Sequence, residues 1–281
     1  MIIILSECKM KQILSCSIIS ITNYQKIIYV KGTSMVENKL IFTAGQRRIY
    51  KEGEKVARYE RVPYTKVEVV KDIPPLEIHP QFVDKDYVVM ADVTEYIPGV
   101  TAEQIDWWWG NMEKGYHIWA PGEHYGFDWI VPPCEIGYEG SVEASYEFDP
   151  VHPIVLTRIG MQHYPFTDCF EHCWMSTGKL GPVDNNLIHM YQDVEGGIYW
   201  RTVQFTTRKM AALMAANADK MPDVASHMEY ESGRLNAFLP ALYELWKGHP
   251  DPWENIHYNL TTVKNEDGTW AHRCKNLPPQ A

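Results

Sequence analysis

No run in the sequence approaches the roughly 18 uninterrupted apolar residues of a membrane-spanning helix, so the chain is not expected to be an integral membrane protein. Cysteine is scarce: six residues, at positions 8, 16, 134, 169, 173 and 274, with no C-x-x-C pair. That spacing gives neither a small secreted disulfide framework nor a zinc ribbon, and reduced, partly buried thiols are the plain reading. Cys169 and Cys173 would share one face if that stretch were helical. Positive charge is also short, 26 Lys and Arg against 36 Asp and Glu, for a net charge of −10. A surface of that sign disfavours nucleic acid and anionic membrane as partners. There is no glycine-rich phosphate loop, no internal repeat, no low-complexity tract and no H-E-x-x-H.

What remains is a globular composition, 45% hydrophobic and 22% charged, over 281 residues. That length makes one large domain or two small ones, with enough chain to bury a core. Aromatic residues reach 12%, with 10 Trp and 17 Tyr, more than a core alone requires. Some of those rings are expected to line a cavity.

The chain divides into three stretches. Residues 1–34 are rich in Ile, Ser and Lys and hold no steady helical or alternating period. Lys9 and Lys11 interrupt the apolar run and no small-residue cleavage site follows, so a signal peptide is a poor match. The segment is expected to lie outside the fold, with Met35 a better beginning and a cleaved leader the alternative. Residues 35–95 read as a β-rich and irregular extension. Within it, 64–70 and 87–93 are strand candidates, separated by Pro74-Pro75.

Residues 96–281 carry the strong signals. Thr101 is a good N-cap and Gln104 completes a capping box, for a helix that bears Ile105 and Trp107, Trp108 and Trp109 and stops at Gly110-Asn111. Residues 140–148 alternate, with Val142, Ala144 and Tyr146 on one face and Ser141, Glu143, Ser145 and Glu147 on the other. Residues 154–164 and 198–207 are further strands, the second entered through a turn at Glu195-Gly196-Gly197. A long helix over 222–246 opens at Pro222 and buries the stripe His227, Glu231, Leu235, Phe238 and Leu242, with Pro240 expected to bend or interrupt it. The tail from Gly248 is expected to wrap the surface. Strands followed by one long C-terminal helix point to α+β.

Four groups could carry chemistry. His227 and Glu231, four apart, aim the same way on an apolar stripe, where they must satisfy each other or bind something. Imidazole nitrogen and carboxylate oxygen are normal zinc ligands, and a plain buried hydrogen bond is the alternative. His124 follows the turn Pro121-Gly122 in YHIWAPGEHYGFDW, with Tyr116 eight residues earlier; a loop histidine and a half-buried ring are the simpler readings. Glu143 and Glu147 share a strand face that is either inward or solvent-facing. His189 precedes the Glu195 turn, with His163 and His172 competing as neutral-pH acid or base.

Taken in order, these motifs are a Trp-rich capped helix, Y-x-I-W-x-P-x-x-H, a Glu-bearing strand, H-x(5)-E-G-G before a strand with Arg201, and H-x-x-x-E before FLPALYELW. The order resembles the diacetylphloroglucinol hydrolase and phloretin hydrolase family over residues 84–247, most specifically at 116–124 and 227–243. These are metal-dependent enzymes that cleave the carbon–carbon bond between a phenolic ring and an acyl group. The resemblance implies a helix-grip fold, a curved antiparallel sheet around a long C-terminal helix, as in the birch-pollen allergen and START domains. It implies one Zn2+ per chain, or another divalent ion, on His124, His227, Glu231 and a strand carboxylate, Glu147 with Glu143 as the alternative. Tyr116 matches the tyrosine that precedes the first ligand, and His189 a second-half histidine, with His172 the alternative. Glu147 could serve as base as well as ligand.

The implied substrate is a small aromatic ketone, whose ring would sit among Trp107–Trp109, Trp119, Phe127 and Trp129. After the first histidine this chain carries Tyr125-Gly126-Phe127-Asp128, a departure from the polar substrate contact that the resemblance implies there, which leaves the acyl phenol open. The resemblance also implies a homodimer built through the N-terminal extension, and the acidic, cysteine-poor chain fits a cytoplasmic protein. A helix-grip protein that binds an apolar ligand without chemistry is the alternative function.

Overall fold

In the computed structural model, residues 60–180, 183–218 and 223–274 are described. The expectations for residues 1–34, Met35 and Pro222 fall outside them.

Ten strands and five α-helices make an α+β architecture among these residues. Eight strands form one sheet: β1 (Glu68–Val69), β2 (Tyr87–Pro98), β3 (His124–Val131), β4 (Val142–Glu147), β5 (Ile154–Arg158), β6 (His172–Leu180), β7 (Val183–Val194) and β8 (Gly197–Thr207). Their order is β1-β2-β8-β7-β6-β5-β4-β3, and every pairing is antiparallel. The expected strand at 64–70 shrinks to two residues, whereas the one at 87–93 runs on to Pro98. The β7–β8 connection is the two-residue turn Glu195-Gly196, and Gly196 takes φ 79°, a left-handed conformation that glycine adopts without a steric penalty.

The capping box reads through to structure. Thr101 Oγ1 accepts from Gln104 N at 3.3 Å and Gln104 Oε1 accepts from Thr101 N at 3.1 Å. This opens α1 (Ala102–Gly110), which ends where Asn111 caps it. Two single-turn helices follow, α2 (Tyr116–Trp119) and α3 (Pro133–Ile136), then α4 (Arg208–Ala215). The long helix α5 (Val224–Trp246) begins at the N-cap Asp223, which accepts from Ser226 N, and runs through Pro240 without interruption.

Period-2 alternation places different residues on the two sheet faces. Trp174, His189, Tyr191, Trp200 and Thr202 face α1 and α5, where Trp107, Trp108, Trp109, Leu235 and Phe238 complete the main core. Cys173, Met175, Ile188, Met190, Val203 and Phe205 face a second core closed by Met161, Tyr164 and Phe166. Cys173 is therefore a strand residue, and the expectation of a shared helical face with Cys169 does not arise. The tail also departs from expectation. Ile256 and Leu260 are buried, Asn255 accepts from Trp107 Nε1 at 2.7 Å, and β9 (Thr262–Lys264) pairs with β10 (Trp270–His272).

The polar face of β4 turns inward. Glu143 is 1% exposed and its Oε2 accepts from Arg158 Nη2 at 2.7 Å. Arg158 also donates to the Trp109 carbonyl and lies over the Trp129 ring at 4.6 Å. This buried pair ties β4 and β5 to the end of α1. Removing one partner strands the other charge, a loss of about 3–5 kcal/mol. Glu143→Ala is therefore expected to lower the unfolding free energy by about that much in urea titration. A change under about 1 kcal/mol would contradict this account of the pair.

Candidate metal centre

His124 opens β3 and Glu147 closes β4, and the two are direct cross-strand partners. Register shifts between His124 and Gly126, a bulge that re-aims the strand end as bulges beside functional sites do. α5 lies alongside, and its i, i+4 pair His227 and Glu231 faces the same point. One donor atom from each of His124, Glu147, His227 and Glu231 lies within 4.8 Å of all the others. Three elements thus bring together four of the residues singled out from sequence.

The second carboxylate of β4 is elsewhere. Glu143 is taken by Arg158, so the structure gathers Glu147 and not Glu143 into the cluster. His172 is also apart: its Nδ1 sits 3.0 Å from Asp106 Oδ2, in a buried group with Tyr191. His163 ends a short turn of helix on the far side of β6.

Each cluster histidine fixes one ring nitrogen on the scaffold. His124 Nδ1 donates to the Tyr116 carbonyl at 2.9 Å, and His227 Nδ1 donates to Glu123 Oε2 at 2.6 Å. Both Nε2 atoms then face the cluster, buried and not aligned for a hydrogen bond. His124 Nε2 is 2.9 Å from Glu231 Oε1, and His227 Nε2 is 3.4 Å from that atom and 3.5 Å from Glu147 Oε2. Donors around a tetrahedral ion with bonds of about 2.0–2.1 Å stand roughly 3.3 Å apart. The donor set, its spacing and its two orphaned nitrogens fit a metal cation.

The electrostatics point the same way. Burial disfavours a charged His227, but the carboxylate of Glu231, with Glu123 and Glu147 beside it, outweighs burial and raises the imidazole to about 12. Burial opposes ionisation of Glu231 too, yet His227 and His124 hold its carboxyl well below the usual range. Without a cation, the site keeps a proton where a ligand lone pair would be.

Two further side chains line the same cavity. The Tyr116 hydroxyl donates to Glu147 Oε1, and its ring stacks on His124 with centroids 4.0 Å apart. Burial first, then the charges of Glu147 and Glu231, pushes that hydroxyl well above its ordinary value, so it stays a phenol. His189 lies on β7 in register with Trp174 and Thr202. Its ring stacks against Trp200 at 4.5 Å and Trp109 at 5.4 Å. Burial lowers it to about 4 despite Glu231 and Glu147, so it is neutral at pH 7.

The cavity shared by these groups measures about 50 Å³ and is walled by Trp109, Trp119, Phe148, Trp174, Leu187 and Met228, among others. Of the aromatic slot expected from sequence, Trp109 and Trp119 reach it. Trp107 packs on Tyr243, Trp108 on Phe238, Trp129 on Arg158, and Phe127 sits behind Tyr116. Sequence reading missed Glu123, Thr202 and Phe148. Glu123 precedes His124 in G-E-H, a visible carboxylate whose partner His227 is 104 residues away. Phe148, at φ 57°, turns its ring to 4.6 Å from His227.

Comparison with known proteins gives a partial likeness. The chain is 34% identical over 79 residues to phloretin hydrolase from Eubacterium ramulus, covering 27% of this chain and 24% of that protein. The alignment thus spans about a quarter of the curated relative. No family model matches. Among solved structures, protein Ms6760 from Mycobacterium smegmatis is similar over 61% of this chain and 97% of its own, at 12% identity and a TM-score of 0.39. A Rhodobacter sphaeroides protein is similar over 56% and 99%, at 15% identity and a TM-score of 0.37. Scores this low do not define a shared fold. The class that stands is an α+β chain with a His/Glu cluster able to hold a metal and a partial likeness to a hydrolase.

Coordination by His227 requires loss of its proton, so cation uptake is expected to release about one proton per ion at pH 8 and to tighten as pH rises. Titration calorimetry in two buffers of different ionisation enthalpy measures this. Zinc uptake with no proton released would show that His227 is neutral beforehand.

Proposed function

We propose that the chain is a metal-dependent hydrolase that cleaves the carbon–carbon bond between a polyhydroxylated phenolic ring and an acyl group. The observation that carries this reading is the His124–Glu147–His227–Glu231 cluster beside a protonated Tyr116 and a neutral His189 in one cavity. The likeness to phloretin hydrolase supports the substrate class. The reading includes a helix-grip arrangement, with α5 held against the sheet, and Zn2+ as the cofactor. It also includes a homodimer built through residues 35–95, a catalytic region over 96–281 and a cytoplasmic setting. No helix among the described residues is long and apolar enough to cross a membrane.

The reaction adds water across the ring-to-carbonyl bond. Carbon–carbon cleavage leaves the ring carbon with an electron pair that must take a proton, and the acyl carbon leaves as a carboxylic acid. A divalent ion on the four donors supplies Lewis acidity towards the carbonyl and lowers the pKa of water. The side chains do the rest. Tyr116, un-ionised and hydrogen-bonded to Glu147, can deliver its proton to the ring carbon and recover one from Glu147 once that carboxylate has taken the proton that the attacking water loses. Thr202 Oγ1 accepts from Trp200 Nε1 at 2.9 Å and shares a hydrogen bond of 3.0 Å with His189 Nδ1. In the proposed reaction His189, neutral and held at Nδ1 by Thr202, turns Nε2 toward a phenolic oxygen of the substrate.

Cavity size constrains the substrate's entry. A cavity of about 150 Å³ holds benzene, and the 50 Å³ here holds less than a substituted ring. In this reading Met228, Val224 and Phe148, contributed by the start of α5 and the end of the β3–β4 hairpin, are the wall side chains that the substrate ring displaces. A binding protein without chemistry would have no use for four convergent ligands, which is why the hydrolase reading is preferred.

The test is incubation of zinc-loaded protein with phloretin and with acylated phloroglucinols, following the free phenol and the carboxylic acid by chromatography. The expected result is equimolar release of both, abolished in a folded His227→Ala variant. Tyr116→Phe is expected to lower kcat by about 10²–10⁴-fold. Full turnover in His227→Ala would refute the assignment, and ligand binding without products would favour the non-catalytic reading.

A further inference from the structure

The metal ligand His227 has a bracing system that reaches outside the cluster. Glu123 divides its carboxylate between two partners: Oε2 accepts from His227 Nδ1 at 2.6 Å, and Oε1 accepts from Arg61 Nε at 2.6 Å. Arg61 is itself held at two further points. Its Nη1 donates to Ser226 Oγ at 2.9 Å, and its guanidinium lies over the Tyr230 ring at 4.9 Å. Both of these residues belong to the first two turns of α5 and flank His227 in sequence.

The chain around Arg61 is strapped across that helix. Val62 N donates to Tyr230 Oη at 3.0 Å, and Tyr230 Oη donates to the Pro121 carbonyl at 3.0 Å, two residues before Glu123. Thr65 N donates to the Gly233 carbonyl at 3.0 Å, where a Cβ on residue 233 would stand 2.3 Å from Thr65 O. Glycine at 233 is what lets the strap lie this close. Residues 61–65, the loop before β3 and the start of α5 thus form one hydrogen-bonded unit around the outer nitrogen of His227.

We propose that Glu123 and Arg61 are positioning residues for the metal. Glu123 fixes the His227 tautomer so that the Nε2 lone pair aims into the cluster, and Arg61 holds Glu123 in the rotamer that does so. A histidine ligand anchored in this way is oriented before the ion arrives, and loss of such a partner typically weakens metal affinity 10–100-fold. The N-terminal strap is then part of the metal site, although it supplies no ligand. The inference rests on the cluster being a metal site, as proposed above.

The test uses the full chain and zinc, with affinity read by competition against a chromogenic chelator and with the cobalt(II) absorption spectrum as a second readout. Both are taken well below each variant's melting temperature, so that loss of fold does not enter. Glu123→Gln is expected to raise the zinc Kd about 10–100-fold and to shift the cobalt bands. Arg61→Ala is expected to raise the Kd by a smaller factor. The double variant should bind no more weakly than Glu123→Gln alone, because Arg61 acts through Glu123. Wild-type Kd and spectrum in Glu123→Gln, with His124→Ala and Glu231→Ala impaired, would overturn the positioning role and leave the metal site standing. If wild type and Glu231→Ala bind zinc equally, or wild type binds none, the metal reading fails and this inference goes with it.

Discussion

Two buried histidines, His124 and His227, each use one ring nitrogen to grip the scaffold and turn the other toward the same pair of carboxylates. Most of what surrounds them follows from that constraint. Holding half-buried Glu147 beside buried Glu231 is unfavourable by mutual repulsion unless positive charge joins them. The protein meets this with a protonated His227 in the absence of a metal, and a divalent cation would meet it better. The β3–β4 hairpin, the bulge after His124 and the i, i+4 spacing on α5 bring the four side chains to one point.

Much of this was legible in the sequence, and the reasons are local. Thr101 and Gln104 specify a helix start by themselves, because a capping box needs three residues of spacing and nothing else. His227 and Glu231 share a face because any α-helix puts i and i+4 together. Alternation along 140–148 identified two faces of β4. Which face is inward depends on what covers the sheet, and α1 and α5 do so from about forty residues before and eighty after. Glu143 and Glu147 share that inward face, and a second non-local fact separates them. Arg158, the neighbour that takes Glu143, comes from the next strand, and only the pairing register brings them together.

Where sequence reading fell short, the missing information was again a long-range contact. The expected strand at 64–70 contains enough β-branched residues, but its neighbour β2 pairs with it over two positions and the rest crosses α5 instead. The tail looked like surface by composition, yet Asn255 is held by Trp107 and Leu260 by Asp106, so its apolar residues close the core. Glu123 was visible as a residue and invisible as a partner. On sequence His189 is the better match and His172 stays open; the strand register puts the first against the cavity and the second against Asp106.

The aromatic wall around His189 also makes the site an optical instrument. Trp109 and Trp174 stack at 4.5 Å and 17°, and Trp109 and Trp200 at 5.8 Å and 24°, close enough for their excited states to couple. Coupled indoles rotate polarised light in the near ultraviolet far more than isolated ones, and their signal depends on mutual angle. Trp109 and Trp174 line the cavity, so a ring that enters it packs against this stack, and its arrival is written in the protein's own circular dichroism without a label.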